Sequence, residues 1–211
     1  MSIWNSQMLA NNGRQIIKPF DKNSIKSGAY ELKPRSQILV SGQKDNDALI
    51  DGNKCMMIKP GQLAMLISRE EVRIPAQTMG FISIKYSLKK KGLINVSGFH
   101  VDPGFSGHLK FTVFNASPKT LFIDPEKTCF QLWITEMIGN GDSYDGNHNN
   151  QDRFSSDEYE IVENEFPSPP IIMAELNSIR REIGLIKGLS IAVMAGIVAG
   201  IVLLIFQQII G

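Results

Sequence analysis

Hydrophobic positions in residues 1–138 fall in short bursts with frequent punctuation. Ile38-Leu-Val, Leu63-Ala-Met-Leu-Ile-Ser, Gly80-Phe-Ile-Ser-Ile-Lys-Tyr, His108-Leu-Lys-Phe-Thr-Val-Phe and Thr128-Cys-Phe-Gln-Leu-Trp-Ile are of strand length, alternating or continuously apolar, with Gly, Pro, Asn and Asp between them. Alternation sends every second side chain to one face of a pleated strand, so the pattern predicts β-strands joined by turns. Many such strands make an all-β sandwich or barrel. A helical turn or two is expected only near residues 5–12.

The pattern stops at residue 139. Gly139-Asn-Gly-Asp-Ser-Tyr-Asp-Gly-Asn-His-Asn-Asn is polar, and Pro167, Pro169 and Pro170 close the stretch. Residues 139–170 therefore read as an acidic flexible linker. Beyond it Ile172, Leu176, Ile179, Ile183 and Ile186 recur at steps of 4, 3, 4 and 3. With Leu176 and Ile183 at a, and the three isoleucines 172, 179 and 186 at d, residues 171–187 form a short coiled-coil stalk that favours three or four strands. Glu175 and Glu182 then fall at g, Arg180 and Lys187 at e. The alternative is an amphipathic helix lying on its own domain or on lipid.

Residues 188–211 carry no charge, and 189–206 are almost purely apolar. That matches the roughly 20 residues a helix needs to cross hydrocarbon; a buried soluble helix is the competing reading. Gly196 and Gly200 add a Gly-x-x-x-Gly step that lets helices approach in lipid. The N-terminal residues lack a basic region followed by an apolar run, so the expectation is a single-pass C-terminal tail anchor. Arg180, Arg181 and Lys187 precede the span, which keeps the body in the cytoplasm.

Composition agrees with a folded body plus appendage: 211 residues, 43% hydrophobic and 20% charged. Cys55 and Cys129 are too far apart in sequence, with no Cys-x-x-Cys, to suggest a disulfide framework or a thiol zinc site. The near-neutral total hides an asymmetry. Residues 1–138 carry 18 Lys and Arg against 11 Asp and Glu, whereas residues 139–170 carry one basic and eight acidic residues. A basic body suits an anionic ligand, although solvated surfaces also scatter charge in this way.

Neither His-x-Glu nor Pro-Cys-x-x-Cys occurs, which removes the zinc deaminase arrangement, and there is no P-loop. Two segments remain. Lys85-Tyr-Ser-Leu-Lys-Lys-Lys-Gly-Leu93 offers four ammonium groups and hydroxyls to phosphate oxygens, and Gly98-Phe-His-Val-Asp-Pro-Gly-Phe-Ser-Gly107 sets Asp102 in a glycine-bearing turn. Each also has an ordinary reading, as a solvated edge and as a plain turn.

In order and spacing these segments resemble the dCTP deaminase and trimeric dUTPase superfamily. Ile16-Ile-Lys-Pro-Phe-Asp, Ile25-Lys-Ser-Gly-Ala-Tyr-Glu-Leu-Lys, Ile58-Lys-Pro-Gly-Gln-Leu-Ala-Met, Val72-Arg-Ile-Pro-Ala, Val101-Asp-Pro-Gly-Phe-Ser-Gly107 and Phe130-Gln-Leu follow the family's motifs collinearly over residues 10–136. The resemblance implies a dUTPase-like jelly-roll or β-barrel domain over 1–138, assembled as a homotrimer with nucleotide sites between subunits. It implies a pyrimidine nucleotide as ligand, held by Lys85, Ser87, Lys90, Phe99, His100, Asp102 and Gln131, with Mg2+ accompanying a triphosphate and no zinc. The bilayer and the homotrimer are the other expected partners; nucleic acid is not.

Two departures bear on activity. The deaminase signature Arg-Ser-Ser-Leu-Ala-Arg falls on Lys85 to Lys90, so both arginines are lysines, which lose the bidentate fork. The family's catalytic Glu falls on Thr112, which cannot cycle a proton near neutral pH; losing such a base costs about 10²–10⁴-fold. Asp102 coincides with the water-activating Asp of the dUTPases. The expectation is thus a membrane-anchored, catalytically impaired pyrimidine nucleotide sensor or effector, with antiviral defence as one setting. An active dCTP deaminase or dUTPase-type hydrolase and a ligand-free structural trimer are the alternatives.

Overall fold

The computed structural model describes residues 2–42, 49–50, 55–139, 144–163 and 169–210. They form two compact units, Met1–Phe166 and Pro167–Gly211. The first opens with helix α1 (Ser6–Ile16) and continues through β1 (Ile17–Lys18), β2 (Ile25–Lys26), β3 (Ala29–Leu32), β4 (Pro34–Val40), β5 (Leu49–Ile50), β6 (Cys55–Ile58), β7 (Leu63–Arg73) and β8 (Thr78–Ile84). After a short α2 (Tyr86–Lys89) come β9 (Leu93–Asn95), β10 (His100–Val101), β11 (Ser106–Asn115), β12 (Leu121–Ile123), β13 (Phe130–Glu136) and α3 (Ser156–Glu163). The second unit is α4 (Pro169–Ile210).

The unit is mostly β, as its alternation predicts. One antiparallel sheet runs β1-β7-β11-β9 with β4 also on β7, a second runs β10-β8-β13-β3-β2, and β12-β6-β5 form a third. β11 is the alternation in its plainest form: Gly107, Leu109, Phe111, Val113 and Asn115 are buried, while Ser106, His108, Lys110, Thr112 and Phe114 are half-buried. Phe111 stacks on Phe130 of β13 with ring centroids 3.7 Å apart, so these two rings join the first sheet to the second at the centre of the core.

β7 breaks the alternation. Residues 64–68 are all buried, because Ala64 and Leu66 face the main core while Met65 and Ile67 join Leu39 and Phe154 in a second cluster on the outer face. A strand covered on both sides can be apolar throughout.

Three local expectations change. The predicted helical turn near residues 5–12 is an 11-residue helix, started by the Asn5 side chain accepting from the Met8 amide at 2.9 Å. The expected strand through Tyr86 stops at Ile84, and residues 86–89 coil into α2 to bury Leu88. The prolines do not keep the stalk apart: α4 begins at Pro169 and runs unbroken through stalk and apolar segment, since proline fits a helix's first turn. Among the described residues, α4 is the one helix long and apolar enough to cross a membrane.

The larger correction concerns residues 139–170. Positions 140–143 and 164–168 lie outside the described residues, but 144–163 do not trail away as a tether. They return to the body and end in α3. Gln151 makes a parallel bridge to Gly107, the Phe154 ring is buried against Leu39, Met65 and Ile67, and Tyr144 packs on Phe105. The segment acts as a strap because its few apolar side chains find the otherwise bare outer face of β7.

Candidate functional site

Asp102, Pro103, Gly104 and Phe105 form a turn closed by Phe105 N–H donating to the Asp102 carbonyl at 3.2 Å. Gly104 sits at φ +80, the left-handed region that type II turns require after proline. The turn is pinned to the body by Gly104 N–H to Ile74 O (2.9 Å) and Ile74 N–H to Phe105 O (2.8 Å). This leaves the Asp102 carboxylate half-exposed, 3.5 Å from His100 Nε2. Beside it the outward face of β11 presents Lys110 and Thr112. Together these groups line a pocket of about 350 Å³.

The strap forms the rest of the wall. Tyr144, His148, Gln151 and Glu158 all line the same pocket. Glu158 Oε2 lies 2.7 Å from Lys110 Nζ, with both side chains largely buried, at 14% and 12% exposure. The same oxygen accepts the Ser155 N–H at 2.7 Å, so Ser155 and Glu158 begin α3 in capping-box fashion. Lys110 is the one Lys or Arg lining the pocket among the described residues.

Of the residues singled out in sequence, the pocket gathers His100, Asp102 and Thr112. Phe99 flanks it, stacked on Phe81 at 6.2 Å and edge-on to His100 at 5.2 Å. Lys85, Ser87, Lys90 and Gln131 line no part of it. Lys85 is instead held by Glu31 at 2.7 Å and donates to Thr128 Oγ1 at 3.0 Å, while Gln131 stands opposite Glu31 in β13. Ser87 and Lys90 are exposed on and after α2. Two separate polar groups therefore exist on one chain: the pocket, and a ridge built from α2 and the start of β13. Lys110 and Glu158 were not anticipated; Ser155-x-x-Glu158 is the sequence signal that could have marked a helix start in the acidic stretch.

A clasp next to the pocket holds the strap. His108 N–H donates to Gln151 O at 2.9 Å and the Gln151 amide returns to His108 O at 2.7 Å. The His108 ring bridges Ser68 O (Nδ1, 3.1 Å) and Arg35 Nη2 (Nε2, 2.7 Å). A carbonyl only accepts and a guanidinium only donates, so the ring is neutral with its proton on Nδ1. Burial, then the Arg35 charge, holds its pKa below the ordinary 6.5, against smaller opposing effects of the Ser68 and Glu70 backbone and the Glu71 carboxylate. Arg35 also donates to the Asp152 carbonyl.

A depressed histidine pKa means the folded form binds fewer protons than the unfolded chain. The stability His108 contributes is therefore fully present above the ordinary 6.5 and is lost as pH falls through the lowered value, and the strap backbone bonded to His108 should loosen with it. Hydrogen exchange at residues 149–154, corrected for intrinsic rates, should accelerate between pH 7.5 and 5.5. In His108→Gln this pH dependence should disappear. Cys129 offers no nucleophile, since burial pushes its thiol up to about 12.

A mostly β unit with an Asp-Pro-Gly turn beside an open pocket defines a class that comparison with known proteins makes specific. The profile of the dCTP deaminase-like family matches residues 3–137. The dCTP deaminase of Thermococcus gammatolerans is 31% identical over 111 residues, covering 52% of this chain and 67% of that protein. The Pyrococcus furiosus enzyme is 27% identical over 143 residues, covering 66% and 88%. The solved dCTP deaminase of Agrobacterium tumefaciens superposes with a TM-score of 0.50 at 14% identity, over 63% of this chain and 46% of that one. The chain belongs to the dCTP deaminase-like family.

Proposed function

We propose that this chain is a membrane-anchored pyrimidine-nucleotide-binding protein whose family chemistry is impaired, and that it works as a homotrimer. The observation that supports the reading is the pocket: Asp102, His100 and Thr112 line it, and the resemblance in sequence sets Thr112 against the family's proton-carrying Glu. The ligand class follows from the similarity to dCTP deaminases. In a trimer, the ridge bearing Lys85, Ser87, Lys90 and Gln131 on one subunit would complete the pocket of another. The seam residues Ile172, Leu176, Ile179, Ile183 and Ile186 are 42–64% exposed on a single chain, and a three-stranded coiled coil would cover them.

Mg2+ would enter with a triphosphate. Among the described residues no three His, Cys, Asp or Glu side chains converge, and Mg2+ characteristically needs only one or two carboxylates besides phosphate oxygens. Asp102 fits that role. Asp102 also supports a second reading, hydrolysis of the dUTPase type, because a half-exposed carboxylate beside the pocket can orient water.

The test follows dCTP and dUTP with the full chain in detergent. Both binding and turnover are measured for wild type, Thr112→Glu and Asp102→Ala. Wild type should bind at least one of the two, with stability rising as RT ln(1 + [L]/Kd). Its deamination should lie about 10²–10⁴-fold below that of the archaeal relatives, the usual value of a general base, and Thr112→Glu should recover part of it. Deamination by wild type at the relatives' rate would overturn the impaired reading. Pyrophosphate release lost in Asp102→Ala would install the hydrolase instead.

A further inference from the structure

The strap ends in an ion pair set inside the pocket that the nucleotide reading requires. Lys110 is the fixed cation of that pocket, and its ammonium is already taken by Glu158 at 2.7 Å. The pair sits under a roof, with the Lys110 ammonium 5.9 Å from the Phe154 ring and that ring buried in the outer-face cluster. A phosphate oxygen and the Glu158 carboxylate make the same demand on Lys110, an anionic acceptor at hydrogen-bond distance. Although the ammonium has three N–H donors, two anions held on it stand close enough to repel, so each weakens the other's hold.

We propose that the strap is an internal competitor of the ligand. In this arrangement Glu158 holds the place of a phosphate oxygen on Lys110, and nucleotide entry and strap docking oppose each other. The inference rests on the nucleotide reading for its ligand and adds the regulation of that site. It accounts for features that a plain linker does not need. Gly107, at φ +143, brings β11 so close to Gln151 that a Cβ there would stand 3.0 Å from the Gln151 nitrogen and 3.1 Å from its oxygen. Asn150 takes φ +56 while its N–H donates to Ser106 O, and the Asn149 side chain accepts from Ser106 N–H at 2.8 Å. Docking is thus specified by several independent contacts, and its one charged contact inside the pocket is the pair with Lys110.

Linkage makes the test two-sided. If strap release tightens ligand binding by some factor, ligand must weaken strap docking by the same factor. Glu158→Gln isolates the charge, because glutamine still caps Ser155 N–H in the manner of the capping box. Phe154→Ser removes the apolar anchor and leaves the carboxylate. The full chain in detergent micelles is titrated with dCTP, dUTP and inorganic tripolyphosphate, while hydrogen exchange follows residues 144–160. Both variants should bind the nucleotide about tenfold more tightly, within the 5- to 150-fold span of ordinary couplings, and ligand should speed exchange of the wild-type strap. Weaker binding by Glu158→Gln, unchanged binding by both variants, or a strap that ligand leaves equally or better protected would overturn the competition. The nucleotide reading fails separately if tripolyphosphate releases the strap and neither nucleotide does. No binding of any probe by any variant would overturn both.

Discussion

Replacing Phe111 by alanine should cost the body about 3–5 kcal/mol, the range for removing a buried phenylalanine, out of a total that for domains is about 5–15 kcal/mol. The upper end is expected here. Phe111 is fully buried, its ring lies parallel to that of Phe130 within 3°, and the pair spans the two sheets, so neither sheet can close the void without losing register. Stacked rings add about 0.5–1.5 kcal/mol beyond burial, and that term disappears with the first ring. For a unit of this size the midpoint should fall by roughly 10 °C or more. Both tryptophans of the chain, Trp4 and Trp133, belong to the β unit, so fluorescence during denaturant unfolding of the full chain in detergent reports this unit alone. Phe122→Ala is the control: that ring is 61% exposed on β12, and its loss should stay within about 0.5 kcal/mol. Equal losses at the two positions would refute the sheet-to-sheet stack as the centre of the core.

The strands were legible because a single physical rule wrote them. In β11 and β8 every second residue is buried, and the sequence alternates accordingly. Where two rules competed, the outcome was not visible. Phe81 through Tyr86 continues the alternation, yet burying Leu88 required the chain to coil at residue 86. The proline cluster reads as a stop, but proline is penalised inside a helix and not in its first turn, so Pro169 begins α4.

Half of the site was legible for a similar reason. Asp102, Pro103 and Gly104 carry their conformation in their own side chains and φ preferences, and His100 and Thr112 lie in strands adjoining the turn. Lys110 and Glu158 are brought together by a return of the chain over 48 positions, and no local period encodes that. Two hints were present. The unbroken apolar run 63–67 in an antiparallel sheet requires cover on both faces. Phe154 and Tyr159, isolated in an acidic stretch, supply that cover, Phe154 within the outer cluster and Tyr159 packed against it.

Two arginines at the centre of the apolar segment should release the protein from membranes, where one should not. Residues 189–206 contain eleven Leu, Ile, Val and Phe, worth about 0.3–0.6 kcal/mol each on the insertion scale, or roughly 3–7 kcal/mol together. A central arginine costs about 2.5–3.5 kcal/mol, so Val198→Arg alone leaves insertion favourable or balanced. Val198→Arg with Ile201→Arg costs about 5–7 kcal/mol and cancels it. The two positions are three residues apart on one side of α4, near the middle of the apolar segment. The expected result is wild type in the pellet after alkaline carbonate washing, the single variant mostly there, and the double variant in the supernatant with its β unit still folded by tryptophan fluorescence. The reading competes with a soluble core helix and with a helix lying on the lipid surface. A surface-bound helix would be stripped by carbonate already in wild type, and that result would end the anchor and remove the membrane from the proposed function.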